Sequence, residues 1–285
     1  MELKLRLLFA VLVFFTTRNT IAQSGTNLKN MLVSENHQDK GTLNINNTDN
    51  KIFIPGREFV YKYHFVKDKK ILTSYVVFDT SCLSKPNKNC LNWKLDEKEI
   101  KEVSPQIYGI TEIKLKVFAN DAGSFLSKTQ TIIKYDYYQD SIRIFQGEIT
   151  GVVEDSINIF LHPPRQHAFS ITEFNAFPNL RFPLTIGKKW NAFIDIPSIF
   201  FTKAHLDNRE PPDLLHMIFA YEVIGNVTIE TAFGNKNCTI IEGSGTSSIG
   251  NTRSKFYYND ELGFIKIEYD NINDTTLTLD LQAVN

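Results

Sequence analysis

From residue 58 onward the chain is built of short runs in which apolar and polar residues alternate. Residues 58–65 (EFVYKYHF) and 71–78 (ILTSYVVF) are rich in β-branched and aromatic side chains, and a charged VKDKK separates them. Alternation buries one face of a strand and leaves the other wet, so the pair predicts a hairpin with a charged turn. The pattern recurs in EIKLKVFA, KTQTIIKYDYY, SIRIFQGEITGVV and SINIFLH, with Asp, Asn, Gly or Ser between the runs. It returns in GKKWNAFIDI, MIFAYEVIGNVTIETAFG, KNCTIIEGSGTSS, RSKFYYND, LGFIKIEYDN and TTLTLDLQAV. Short segments at near-regular spacing predict a mainly β chain, an antiparallel meander forming an open barrel or sandwich.

Two windows break the pattern. In residues 91–103 (LNWKLDEKEIKEV), Leu91, Leu95, Ile100 and Val103 fall near one helical face, which predicts one short helix capping an end of the sheet. Residues 162–183 (HPPRQHAFSITEFNAFPNLRFP) carry four prolines and little alternation, and read as a long connection across the end of the sheet. Within FPLTIGKKW, Pro183 suits the start of an edge strand, Gly187 a bend, and Trp190 the core. In YYNDELGFIKIEYD, Gly263 supplies the positive φ of a tight hairpin.

The N-terminus has a different character. Lys4 and Arg6 precede an unbroken apolar run at residues 7–15 (LLFAVLVFF), and Thr20 and Ala22 place small residues before a cut at 22/23. That is the layout of a secretory signal peptide, residues 1–22, and the run is shorter than the roughly 20 residues a membrane-spanning helix needs. No later segment is apolar enough to span as a helix. Residues 23–50 are polar and Asn-rich and read as a flexible N-terminal arm, leaving residues 51–285 as a single β-rich domain, or as two subdomains meeting near residue 175. The expected location is extracytoplasmic, periplasmic or secreted.

Composition narrows the partners. The chain of 285 residues has a formal net charge of −1, which gives no electrostatic case for nucleic acid. Twenty-two Phe and 11 Tyr are ample material for a packed core. Of the three Cys, Cys82 and Cys90 bracket the turn-like SKPNKN and form the expected local disulfide, although pairing of either with Cys238 stays open.

Candidate chemistry is sparse. His162 and His167 flank PPRQ as H-x4-H, a metal-site candidate that needs a third ligand such as His205 or His216; the alternative is loop packing. EGSGTSSIGN lacks the Lys-Ser/Thr of a phosphate-binding loop and reads as a hairpin loop. Glu148, Glu154, Glu173, Glu222 and Glu268 lie on or beside strands, where a carboxylate pair could serve glycoside hydrolysis. Tyr135, Tyr137, Phe174, Phe177, Phe200 and Phe201 cluster in or near connections and are the candidate binders of an apolar or sugar ligand in a barrel mouth; their alternative role is to fill the core. Phe200 and Phe201 sit in the stretch 196–212, expected as an exposed lid or partner-binding tip. Asn46, Asn226, Asn237 and Asn273 begin N-x-Ser/Thr sequons, which matter only in a eukaryotic secretory setting.

Taken in order, HPPR, FPLTIGKKW, FGNKNCTIIEGSG and YYNDELGFIKIEYD give residues 140–285 a family resemblance. This part resembles uncharacterised secreted proteins of Bacteroidota-type bacteria and is similar to DUF3108-like periplasmic β-proteins, which place a Gly-containing hairpin near the C-terminus. The resemblance implies an extracytoplasmic β-sheet or open-barrel protein and transfers no catalytic residue. The expected function is therefore an exported, non-catalytic binding or envelope-associated module without a cofactor, holding an apolar or glycan ligand or a protein partner. The alternatives are a polymer-degrading hydrolase with a carboxylate pair and a purely structural protein.

Overall fold

The computed structural model describes residues 50–78, 91–97, 107–119, 130–145, 147–198, 200–201, 206 and 212–285. The expected signal peptide, the expected arm up to residue 49, Cys82 with Cys90, and the candidate ligand His205 lie outside the described residues.

The alternating runs become strands. β1 (Glu58–Lys67) and β2 (Lys70–Phe78) form the expected hairpin, paired from Phe65↔Leu72 to Lys67↔Lys70. Its turn residues Asp68 and Lys69 both have positive φ, 50° and 64°, the left-handed geometry that matches a two-residue turn to strand twist. β2 then leaves the main sheet to pair with β3 (Leu91–Asp96) and β4 (Ile107–Gly109). The helix expected over residues 91–103 is thus a strand at its start. Leu91, Trp93 and Leu95 alternate with exposed Asn92, Lys94 and Asp96, a period of two that pairing with β2 rewards over helical propensity. The helical element with resolved caps is instead a 3-10 helix, His167–Phe174.

β5 (Glu112–Val117), β6 (Thr131–Gln139), β7 (Ile142–Phe145), β8 (Ile149–Glu154), β9 (Asn158–Leu161) and β10 (Asn179–Arg181) follow in the first half. The second half is a strict meander of β11 (Lys189–Pro197), β12 (Leu214–Thr231), β13 (Gly234–Ser247), β14 (Gly250–Asn259), β15 (Gly263–Asp270) and β16 (Thr276–Val284). All pairings are antiparallel, and the main path runs β10-β9-β8-β6-β5-β1-β16-β15-β14-β13-β12-β11, with β7 beside β6. The sheet curls into a nearly closed barrel.

The seam of the barrel answers what FPLTIGKKW does. The path begins at β10 and ends at β11, and these two strands are consecutive in sequence, so residues 182–188 span the gap. Gly187, at φ 84°, donates its amide to the Val223 carbonyl at 2.8 Å. The Lys188 ammonium donates to the carbonyls of Arg181 (2.7 Å), Phe182 (2.9 Å) and Pro183 (3.1 Å). Trp190 is buried and stacks on Tyr221, ring centroids 5.4 Å apart.

The connection expected to cross the end of the sheet lies inside the barrel instead. Nearly every residue from 161 to 180 is buried, the 3-10 helix included. Wall side chains bind its backbone from several sides. Tyr135 donates to the His162 carbonyl (2.6 Å), Thr252 to Phe174 (3.0 Å), Ser254 to Ala176 (3.2 Å) and Tyr221 to Phe177 (3.0 Å). A side chain at Gly243 would bring its Cβ to 2.7 Å from that of Ala176, so a glycine is required where the wall meets this internal segment. Phe169 sits at the centre, its ring against Tyr63, Phe65 and Tyr137 at centroid distances of 5.0, 5.4 and 5.4 Å.

Candidate functional site

All six aromatic candidates lie in the interior. Tyr135, Tyr137, Phe174 and Phe177 are fully buried around the internal segment, and the stretch expected to expose Phe200 and Phe201 buries them at 6% and 1% exposure. Phe201 packs edge-on against Phe174 at 5.2 Å, so apolar contact with the internal segment draws these residues in. Burial pushes the phenols of Tyr61, Tyr135, Tyr137, Tyr221 and Tyr269 above their ordinary values, keeping them protonated inside the barrel. The void lined by Tyr61, Ile113, Tyr135, Leu161, Pro163 and Pro164 measures about 10 Å³, room for one water at most.

His162 and His167 pack on different partners. The His162 ring meets Phe160 and Phe177 edge-on in the interior, whereas His167 stacks on Trp93 at 3.7 Å. His216 is exposed on β12 with Nδ1 2.5 Å from Asp195. Among the described residues no three His, Cys, Asp or Glu side chains converge as metal ligands. Cys238 is a buried free thiol, and burial raises its pKa.

Arg165, noted in sequence only as lying between the two histidines, is the centre of a buried charge cluster. Its guanidinium reaches Glu173 at 3.1 Å and Glu148 at 3.4 Å, and donates to the Thr150 hydroxyl at 3.0 Å, while its amide donates to the Glu148 carboxylate. Arg165 and Glu173 belong to the internal segment, and Thr150 is on β8 with Glu148 just before it, so the cluster ties the segment to the wall. Burial pushes the Glu148 carboxyl above the usual carboxylate range, and the Arg165 charge pulls it part of the way back.

The other carboxylates noted in the sequence are likewise engaged. Glu154 on β8 accepts the amides of Lys51 and Ile52 at 2.9 Å each and of Phe53 at 2.8 Å, fastening residues 51–53 to the wall. Replacing Glu154 by Gln removes the charge from these bonds and should lower the unfolding free energy by about 1–2 kcal/mol. Urea denaturation measures the loss, and hydrogen exchange should show faster exchange at Ile52 and Phe53. Glu222 pairs with Lys189 at 3.0 Å, and Glu268 with Lys266 at 2.7 Å while accepting from Tyr257 at 3.1 Å.

On the outside, a concavity lies at the rim where β13, β14, β15 and β16 meet the turns between them. It holds about 570 Å³ and is lined chiefly by Ser244, Thr246, Asn251, Arg253, Asp270 and Asp274. EGSGTSSIGN contributes to it as strand rather than loop: residues 242–247 belong to β13, and only Ser248 and Ile249 turn. Sequence reading passed over this rim because its residues become neighbours only through strand register.

No family model and no curated protein matches the chain. Three solved structures are similar in outline. A candidate exported protein with YmcC-like fold from Bacteroides fragilis is 9% identical, with 81% of this chain and 96% of that one covered and a TM-score of 0.43. A candidate lipoprotein from Parabacteroides distasonis is 12% identical over 84% of this chain and all of that one, with a TM-score of 0.43. The hypothetical lipoprotein YmcC from Escherichia coli is 8% identical over 81% and 85% of the two chains, with a TM-score of 0.32.

Proposed function

We propose that the protein is an exported, non-catalytic binding module of the cell envelope that meets its ligand or partner on the outside of the barrel. The filled lumen carries this reading. Residues 161–180 occupy the space in which a barrel-type carrier would hold a small molecule. Export is supported by the basic start, short apolar run and small-residue exit of residues 1–22. Non-catalytic work is supported by the commitments of the five carboxylates, which serve Arg165, backbone amides and lysines rather than a cleft.

Two measurements together test the reading. Native mass spectrometry of the purified protein should give the bare polypeptide mass, and the protein should bind isolated envelope fragments of the producing organism saturably. A small molecule retained through desalting, or the absence of saturable binding, would overturn it.

A further inference from the structure

We infer that the outer rim of β13–β16 is a binding groove for an uncharged, hydroxyl-rich glycan. The inference rests on the exterior of the barrel being its working surface, and it names the place and the ligand class.

Register builds the groove. Ser244 lies opposite Arg253, Arg253 opposite Asp270, and Asp270 opposite Thr276, so four outward side chains from four strands form one transverse row. With strands about 4.8 Å apart, the row extends about 14 Å, the scale of a short oligosaccharide. Thr246 and Asn251 add the adjacent cross-strand pair, and the β15–β16 turn with Asp274 forms one wall. The volume of about 570 Å³ is of the size that small-ligand sites have.

The groove differs from the sheet face around it. One row away the charges are matched within the protein: Glu242 with Lys255 at 3.4 Å and Glu268 with Lys266 at 2.7 Å. In the rim row Arg253 and Asp270 face each other across two strands, yet neither they nor Asp274 form an ion pair or side-chain hydrogen bond among the described residues. A guanidinium that only donates, carboxylates that only accept, and Ser, Thr and Asn groups that do both suit vicinal hydroxyls, which donate and accept at once. One guanidinium against two carboxylates disfavours an anionic polymer.

The floor is fixed to the interior. Thr252 donates to the Phe174 carbonyl at 3.0 Å, and Asn175 of the internal segment donates to Asn271 at 2.7 Å. Asn271 in turn donates to Thr275 at 3.0 Å. The internal segment therefore holds the groove in shape, so little ordering cost falls on binding. No aromatic platform lines the groove, and its hydrogen bonds replace bonds to water, so the expected binding is weak, with a dissociation constant of about a millimolar or above.

The test is an amide-resolved NMR titration of the purified protein with maltohexaose, cellohexaose and chitohexaose. At least one should shift the amides of residues 244–246, 251–253 and 270–276 saturably. Arg253→Ala and Asp270→Asn, both at exposed positions, should each weaken that binding about tenfold or more while leaving other amides in place. No rim shift with any of the three glycans overturns the inference, as does stronger rim binding of polyglucuronate. Shifts at another outer face, or no glycan shift alongside saturable binding to envelope fragments, sink the groove and leave the exterior-binding reading standing. Failure of both assays removes both.

Discussion

Arg165→Ala should cost about 3–5 kcal/mol of folding stability, the loss expected when one partner leaves a buried ion cluster and the others stay behind. Arg165 is 4% exposed, Glu173 is 4% exposed, and Glu148 keeps only a small opening to solvent. Without the guanidinium, two carboxylates of the same sign would face each other across the junction of internal segment and wall. Guanidinium chloride denaturation measures the loss. A triple variant, Arg165→Met with Glu148→Leu and Glu173→Leu, should recover most of it, because apolar replacement of a whole buried cluster is commonly neutral. A loss below about 1 kcal/mol for the single variant would mean that the cluster is solvated and does not fasten the segment.

Phe169→Ala should be nearly as costly, about 3–4 kcal/mol, through lost apolar burial and the cavity left behind. Phe169 is fully buried and touches aromatic rings from β1 and β6, so the wall cannot collapse inward without distorting two strands. Limited proteolysis reads the consequence: cleavage within residues 162–180, slow in the parent protein, should accelerate in the variant. Unchanged stability with unchanged protection would show that the segment's position does not depend on its apolar centre.

These two residues also mark where sequence reading succeeds and where it stops. Strands that face core on one side and solvent on the other announce themselves by period, and so β1, β2 and the strands from β11 to β16 were legible. Gly263, at φ 77°, turns between β14 and β15 as its setting in YYNDELGF suggested. The internal segment has no period because wall surrounds it. Phe169, Ile171, Phe174, Ala176 and Phe177 are buried without alternation, and its prolines and lack of pattern imitate a surface loop. Leu91 and Leu95 fit both a helix face and a strand face over so short a run, and only the presence of β2 decides between them. The rim row was hidden for another reason. Ser244, Arg253, Asp270 and Thr276 are polar residues of ordinary kinds, and only three successive pairings bring them into line.

The place where the chain's two halves join has a consequence for how the molecule comes into being. β1 and β16 are hydrogen-bonded neighbours in the middle of the sheet, and Glu58 and Asn285 exchange backbone hydrogen bonds of 3.0 and 2.9 Å. One edge of β1 therefore stays unsatisfied until the nine residues of β16, Thr276–Val284, pair with it. Closing a loop of more than two hundred residues is the slow event in such a topology. A molecule lacking β16 has lost the staple between its halves, and the exposed β1 becomes a template for pairing with other chains.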